Sequence, residues 1–361
     1  MSNILVVGGG IIGLLTAREL TETGAAVTLV EMGETGRESS WAGGGIISPL
    51  YPWHHPASVN ALADWSQPVY PELCAELLQE TGTDPEHIRS GLLVLDPNEQ
   101  GAGLSWSREQ HIRTETLDAA ALRDKEPDLS PEPASALLLP DVAQVRSPRL
   151  TKALRQSIEH RVDIQEQEEV IELQLDKGRV TGVQTRRGNI GADQVVVCTG
   201  AWTARLLERL GGKLDIQPVR GQMILFHAKP GQVHHIAIFR ERYVIPRRDG
   251  RILVGSTLEH TGFAKVTTAE AKEELYRSAV ELFPLLKRTP IEDHWAGLRP
   301  GSPSGVPYIG PYPQIDGLYI NAGHFRNGLA TGPASARLVV DLVLDRPPVI
   351  DPAPYALEAH R

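Results

Sequence analysis

Gly8, Gly10 and Gly13 stand in the run GGGIIG with the spacing of a turn that holds a dinucleotide pyrophosphate. Each glycine answers a separate steric demand. At Gly8 the chain turns tightly, at Gly10 the backbone comes up to the phosphates, and at Gly13 a helix packs closely on a strand. The N-terminus of that helix stabilises negative charge. Glu31 follows about 20 residues on, where a carboxylate accepts hydrogen bonds from ribose hydroxyls and disfavours a 2′-phosphate. The turn implies a dinucleotide. It does not by itself separate a nicotinamide cofactor from a flavin.

Two further stretches make that separation. Residues 37–45, RESSWAGGG, present Ser39 and Ser40 and then Gly43, Gly44 and Gly45, a segment able to donate hydrogen bonds to a phosphate and then run flat along an aromatic ring. Near the other end, residues 323–332 lead from Gly323 through Asn327 and Gly328 into a helix. The N–H groups and dipole of that helix are expected against the N1/C2=O edge of a flavin, where the reduced ring is negative. A nicotinamide enzyme needs no second helix terminus of this kind, so FAD is the expected cofactor.

Other chemistries find less support. His54-His55 and His234-His235 are adjacent pairs whose side chains diverge, with no acidic or cysteine partner at ligand spacing, so no metal is expected. No Ser/His/Asp constellation or catalytic carboxylate pair stands out. A net charge of −9 with scattered Lys and Arg argues against nucleic acid. The two cysteines, Cys74 and Cys198, are far apart and suggest neither a disulfide framework nor a zinc site; a reducing compartment fits. The chain opens MSN and runs at once into ILVVGGG, without the pattern of a leader, so a cytoplasmic location is expected. Charged residues interrupt every apolar segment before it reaches the ~20 residues of a membrane helix.

These residues need a scaffold of 361 positions, 41% hydrophobic and 22% charged, the proportions of a packed globular protein. Residues 3–31 read as strand, glycine turn, helix, strand, the opening of a doubly wound sheet. Residues 60–81 have helical periodicity, and the polar, Pro-rich stretch up to about residue 147 reads as an insertion. After a helix at 149–160, the alternation through VVVCTG predicts a β-meander that feeds back into the first sheet. The strand signals at 217–256 lie too far from the nucleotide motif for βαβ repeats and predict a second, mostly antiparallel sheet, followed by a helix at 268–286. The expected fold class is α/β, a Rossmann-like FAD-binding domain interleaved with an antiparallel-sheet substrate domain. Residues 1–50, 145–215 and 295–361 are assigned to the first; residues 51–144 and 216–294 to the second.

The pieces GGGIIG, Glu31, SSWAGGG, VVVCTGAWT at 195–203, YVIPR at 243–247, GLRPGSPSGVPYIG at 297–310 and GHFRNGLATGP at 323–333 together resemble the D-amino-acid-oxidase-like family of FAD enzymes. Within that family the chain is most similar to the glycine oxidase branch that serves thiamine biosynthesis, with sarcosine oxidases as cousins. The resemblance implies oxidation of glycine, sarcosine or a similar small amine to an imine, with O2 reduced to hydrogen peroxide. It implies that Arg299 binds the substrate carboxylate, that Tyr243 hydrogen-bonds it, and that Arg326 lies beside the flavin. The residue types agree, since a guanidinium presents a planar fork to a carboxylate and a phenol adds a directed donor without charge. It further implies cofactor contacts from Ile11, Ile12, Ala42, Val170, Gly200, Gly323, Asn327, Gly328 and Leu329. Tyr51, which follows the glycine loop, lines the substrate entrance or packs as ordinary core. No cysteine occurs in residues 300–312, where some relatives tether the flavin, so FAD is expected to be noncovalent. Glu241 departs from the histidine of one branch, which leaves fine substrate preference open. Alternatives are a D-amino-acid or imino-acid dehydrogenase that passes electrons to a quinone, and a flavin-bearing subunit of a larger complex. A homo-oligomer is compatible with all of these readings.

Overall fold

A computed structural model describes residues 3–211 and 214–360; Met1 and Ser2, where a leader would begin, lie outside the described residues. The first sheet has six strands in the order Tyr308–Pro311, Leu318–Ala322, Gln194–Val197, Asn3–Val7, Ala26–Val30 and Val162–Gln165. All its pairings are parallel except that of the edge strand Tyr308–Pro311. Ile4, Leu5, Val6 and Val7 are all buried, as a central parallel strand covered on both faces must be. Ile4 and Val6 pack toward the helices Ile11–Glu22 and Gly332–Val343, while Leu5 and Val7 pack on the opposite side with Leu173 and Val183 of a three-stranded meander.

The second sheet has eight strands, in the order Ile291–Gly301, Gln217–His227, Arg251–Gly255, Arg242–Pro246, Ile236–Phe239, Leu92–Val94, Ser135–Leu139 and Glu115–Asp118. One pairing, Ile236–Phe239 with Leu92–Val94, is parallel. Alternation sorts its side chains. Ile224, Phe226, Val244 and Val254 meet Leu275, Ala279 and Leu282 of the helix Ala269–Leu282, whereas Met223, Tyr243, Ile245 and Leu253 face the other way. That second face looks toward the first sheet.

The stretch before residue 147 is more than the insertion its composition suggested. It supplies three strands to the large sheet, each only three to five residues long, and the helices Pro97–Glu109 and Ala119–Lys125. Leu92–Val94 is buried on both faces and so shows no alternation to read. Among the described residues, no helix is long and apolar enough to cross a membrane.

Candidate active site

The carboxyl ends of the parallel strands, at Val7, Val30, Cys198 and Ala322, meet the open face of the second sheet along a cleft of ≈ 640 Å³. This is where ligands bind in open α/β sheets. The glycine turn is built as its spacing demands. Gly8 has φ +106°, and a Cβ there would lie 2.6 Å from the Cys198 carbonyl oxygen; a Cβ on Gly13 would lie 1.8 Å from the carbonyl oxygen of Gly8. No side chain within the turn caps the helix Ile11–Glu22, and the Ile11 N–H donates to Ser40 Oγ at 2.8 Å. Glu31, 8% exposed, accepts from the N–H of Gly9 at 2.7 Å and of Gly33 at 2.8 Å. Burial raises its pKa, and those two hydrogen bonds oppose the shift.

The loop that follows is clamped to the second sheet. Ser147 Oγ donates to the Gly43 carbonyl, Trp295 Nε1 to that of Ala42, and Arg247 to that of Gly44 at 2.7 Å. Arg247 also donates to Gln144 Oε1 and the Val145 carbonyl, and burial lowers its pKa to about 10. A Cβ on Gly44 would meet Ile245 at 2.9 Å and Tyr243 at 3.2 Å, so the glycines bring this backbone onto the sheet beside the tyrosine.

At the far end of the chain the cleft is lined by His324 through Leu329, not by the first turn of the helix Gly332–Val343. The donors of that turn are engaged: Gly332 N–H with Leu329, Ala334 N–H with Ser66 Oγ, and Ser335 N–H with Thr331, while Pro333 has none. The loop brings two buried polar atoms without protein partners, His324 Nε2 and Asn327 Nδ2, from residues that line the cleft. Such atoms cost about 1–3 kcal/mol each unless a ligand satisfies them. Burial pushes the His324 imidazole down to about 3, so it is neutral at ordinary pH. Together with the glycine turn and Glu31, these orphaned atoms fit a bound dinucleotide that reaches from one sheet to the other.

The substrate end holds Tyr243, Arg299 and Arg326 in the same cleft. Arg299 donates to Ser256 Oγ at 2.7 Å and to the Thr257 carbonyl at 3.1 Å. Burial lowers its pKa, with Arg326 adding repulsion and Tyr243 opposing the shift. Among the described residues, neither arginine is ion-paired with a carboxylate. Glu259, which also acts on Arg299, is engaged by Arg220, Gln222 and Thr257. Tyr243 is 6% exposed, and its hydroxyl reaches Met223 Sδ at 3.8 Å.

Of the sequence-derived positions, Gly8, Gly10, Ile11, Ile12, Glu31, Ser39, Ser40, Ala42, Gly43, Gly44, Val170, Gly200, Asn327, Gly328 and Leu329 line the cleft with these three. Gly13 and Gly323 lie behind it as packing glycines. Tyr51 does not line it. Its ring packs on Trp53 and His54, its hydroxyl bonds the Glu241 backbone, and burial raises its pKa to about 12. Trp53 and His54 are in turn fixed to Glu99 at 2.7 and 2.6 Å. Sequence reasoning missed His324, Gly221, Met223 and Ser256. His324 sat inside the quoted GHFRNG run, but nothing in the local sequence marks Ser256. Among the described residues, no group of three or more His, Cys, Asp or Glu is placed to hold a metal.

The family model described as FAD dependent oxidoreductase matches residues 3–342. The chain is 50% identical over 355 residues to a glycine oxidase of Pseudomonas aeruginosa, a match covering 98% of each. It is 32% identical over 357 residues to a bifunctional protein ThiO/ThiG of Synechocystis sp., covering 96% of this chain and 52% of that one. The crystal structure of glycine oxidase from Geobacillus kaustophilus superposes with a TM-score of 0.95 at 28% identity, each chain being covered completely. The chain belongs to the FAD dependent oxidoreductase family and is an FAD-dependent enzyme of the amino-acid oxidase type.

Proposed function

We propose that the enzyme oxidises glycine and short N-alkyl glycines such as sarcosine to the imine, with O2 as the terminal acceptor. The observation that carries this reading is the pair Arg299 and Arg326, two guanidiniums without a carboxylate partner among the described residues, beside Tyr243 in the cleft that holds the dinucleotide turn. A substrate carboxylate supplies the missing countercharge. Arg299 and Tyr243 bind and orient it, which fixes the adjacent carbon and its amine. Met223, Leu50 and Phe325 line the same cleft and favour a substrate with little or no side chain. FAD, when bound, would supply the two-electron acceptor, with O2 as the final oxidant and hydrogen peroxide as its product. Glu31 and the Gly8–Gly13 turn would hold its nucleotide half; His324, Asn327, Gly328 and Leu329 would hold its ring.

The protein supplies positioning and exclusion of water, and no residue of the cleft is needed as a proton relay for an amine that arrives neutral. We assign residues 1–50, 145–215 and 295–361 to the FAD-binding domain and residues 51–144 and 216–294 to the substrate domain, with Arg299 and Arg326 reaching the substrate from the first. Two buried free cysteines support a reducing, cytoplasmic setting. The fused relatives named ThiO/ThiG support a role in which the imine is handed to a thiazole-forming step of thiamine synthesis. The test is a substrate screen on the purified chain, following peroxide in air and, in parallel, reduction of an artificial acceptor. Peroxide from glycine or sarcosine supports the reading. Turnover with the artificial acceptor alone identifies a dehydrogenase, and no turnover with either identifies a subunit of a larger complex.

A further inference from the structure

Three glycines occupy neighbouring places on three neighbouring strands of the second sheet, on the face that looks into the cleft. In the antiparallel pair Gln217–His227 and Ile291–Gly301, Gly221 stands opposite Gly297 and Val219 opposite Arg299. Gly255, on the next strand, stands opposite Met223 on one side and Tyr243 on the other. Side chains two apart along a strand share a face, so Arg299 lies on the same face as Gly297 and Gly221. Glycine in a strand interior weakens the sheet and marks a close approach of something else. Each of these three has such a neighbour. A Cβ on Gly221 would lie 2.2 Å from both terminal nitrogens of Arg299 and 2.3 Å from its Cζ. A Cβ on Gly255 would lie 2.8 Å from the Cε2, Cζ and hydroxyl oxygen of Tyr243, and one on Gly297 would lie 2.5 Å from the Cβ of Ala42.

The guanidinium therefore lies flat on the backbone at Gly221, and the phenol lies flat over Gly255. The hollow also admits the cofactor loop at Ala42. Resting on the function proposed above, we infer that Gly221 is a positioning residue for substrate capture: it seats the Arg299 fork at the height where a carboxylate meets it, with Ser256 fixing the fork's rotation. Gly221 is not in a left-handed conformation, and what its Cβ would strike is the far end of a flexible side chain. Adding a methyl group thus moves the arginine and leaves the strand pairing in place. To reach a normal contact of roughly 3.5 Å the guanidinium must retreat by about 1 Å.

The experiment uses the FAD-loaded enzyme and reads acetate binding from the flavin absorbance, together with steady-state kinetics on glycine. In Gly221→Ala, acetate affinity falls and KM for glycine rises by at least about 10-fold, since misplacement by 1 Å of a positioning group costs up to about 100-fold. Bound FAD, the melting temperature and turnover of an amine without a carboxylate stay as in the wild type. In an Arg299→Ala background the glycine substitution has no further effect, because its whole action runs through the arginine. Ser256→Ala, which adds no bulk, removes the 2.7 Å bond to Arg299 and weakens acetate by about 3- to 10-fold. An unchanged acetate affinity in Gly221→Ala, or a loss that persists in full without Arg299, overturns the inference. If Arg299→Ala alone leaves acetate binding intact, the proposed function falls with it. If Arg299→Ala weakens binding and Gly221→Ala does not, only the seat falls.

Discussion

Replacing Glu31 by glutamine separates the two tasks that one buried carboxylate performs. In the wild type one oxygen accepts the Gly9 N–H at 2.7 Å and the other accepts the Gly33 N–H at 2.8 Å. Each oxygen keeps a further acceptor site for a ribose hydroxyl. A carboxamide has a single acceptor oxygen, so its NH2 must face one of the two backbone donors. That donor loses its partner, at a cost of about 1–3 kcal/mol to the fold. Burial already disfavours the charge, and a neutral side chain removes that penalty, so the loss belongs at the low end of the range. One ribose hydroxyl also loses a charge-assisted acceptor worth about 1.5–3 kcal/mol, or roughly 10- to 150-fold in affinity. Fluorescence titration of the apoprotein with FAD measures the second loss, and thermal melting of the apoprotein the first. A lower apoprotein melting temperature with unchanged FAD affinity would refute the ribose assignment and leave Glu31 as a brace for the turn alone.

Three further substitutions test other parts of the cleft. Arg299→Lys keeps the charge but cannot serve Ser256, Thr257 and a substrate fork together; KM for glycine should rise by about 10-fold or more while FAD content holds, and equal losses with an amine lacking a carboxylate would contradict this. His324 is neutral in the folded protein, with its pKa pushed down from 6.5 to about 3, whereas the unfolded chain takes up the proton below 6.5. The unfolded state then binds more protons, so stability falls as pH drops from 6.5 toward 3, and His324→Gln should lose less stability over that window in chemical-denaturation curves; identical slopes would refute it. Arg247→Met strands the buried carbonyls of Gly44 and Val145, so it should lower the unfolding free energy by at least about 1–3 kcal/mol and loosen FAD, with neither change expected if the clamp were decorative.

The nucleotide half of the site was legible because it is local. Gly8 to Gly13 and Glu31 fall within one strand-turn-helix-strand unit, where each glycine has a steric reason that can be stated before the fold is known. The substrate half was legible only through resemblance. Tyr243, Arg299 and Arg326 are brought together by two strands and a loop, and no periodicity in any of them marks a carboxylate site. The short strands before residue 147 escaped because a strand of three to five residues inside a large sheet carries too few positions to show a period. The helix at 332–343 was found, yet its first turn proved to be spent on Leu329, Thr331 and Ser66, the last a contact that depends on how a helix some 270 residues earlier packs against it. Gly221 and Gly255 could mark a close approach but not of what, since the neighbour of a strand glycine is not known until the sheet is.

The charge arrangement explains why these two halves need each other. The chain carries a net charge of −9, yet at one end of the cleft two arginines stand, among the described residues, without an ion-paired carboxylate. Pairing them with a protein acid would relieve their repulsion and leave no attraction for an anionic substrate. Glu259 acts on Arg299, but Arg220 together with Gln222 and Thr257 holds it to one side. The cost of leaving a buried guanidinium unneutralised is met in part by neutral acceptors, the Ser256 hydroxyl and the Thr257 carbonyl, which fix its orientation without cancelling its charge. At the other end Glu31 has its oxygens tied to backbone N–H groups, and among the described residues it forms no ion pair with an arginine. A cofactor with hydroxyls at one end and a ring at the other, and a substrate with a single carboxylate, are each orientable in that field in one sense only. The sheet glycines then set the depth at which the two ligands meet.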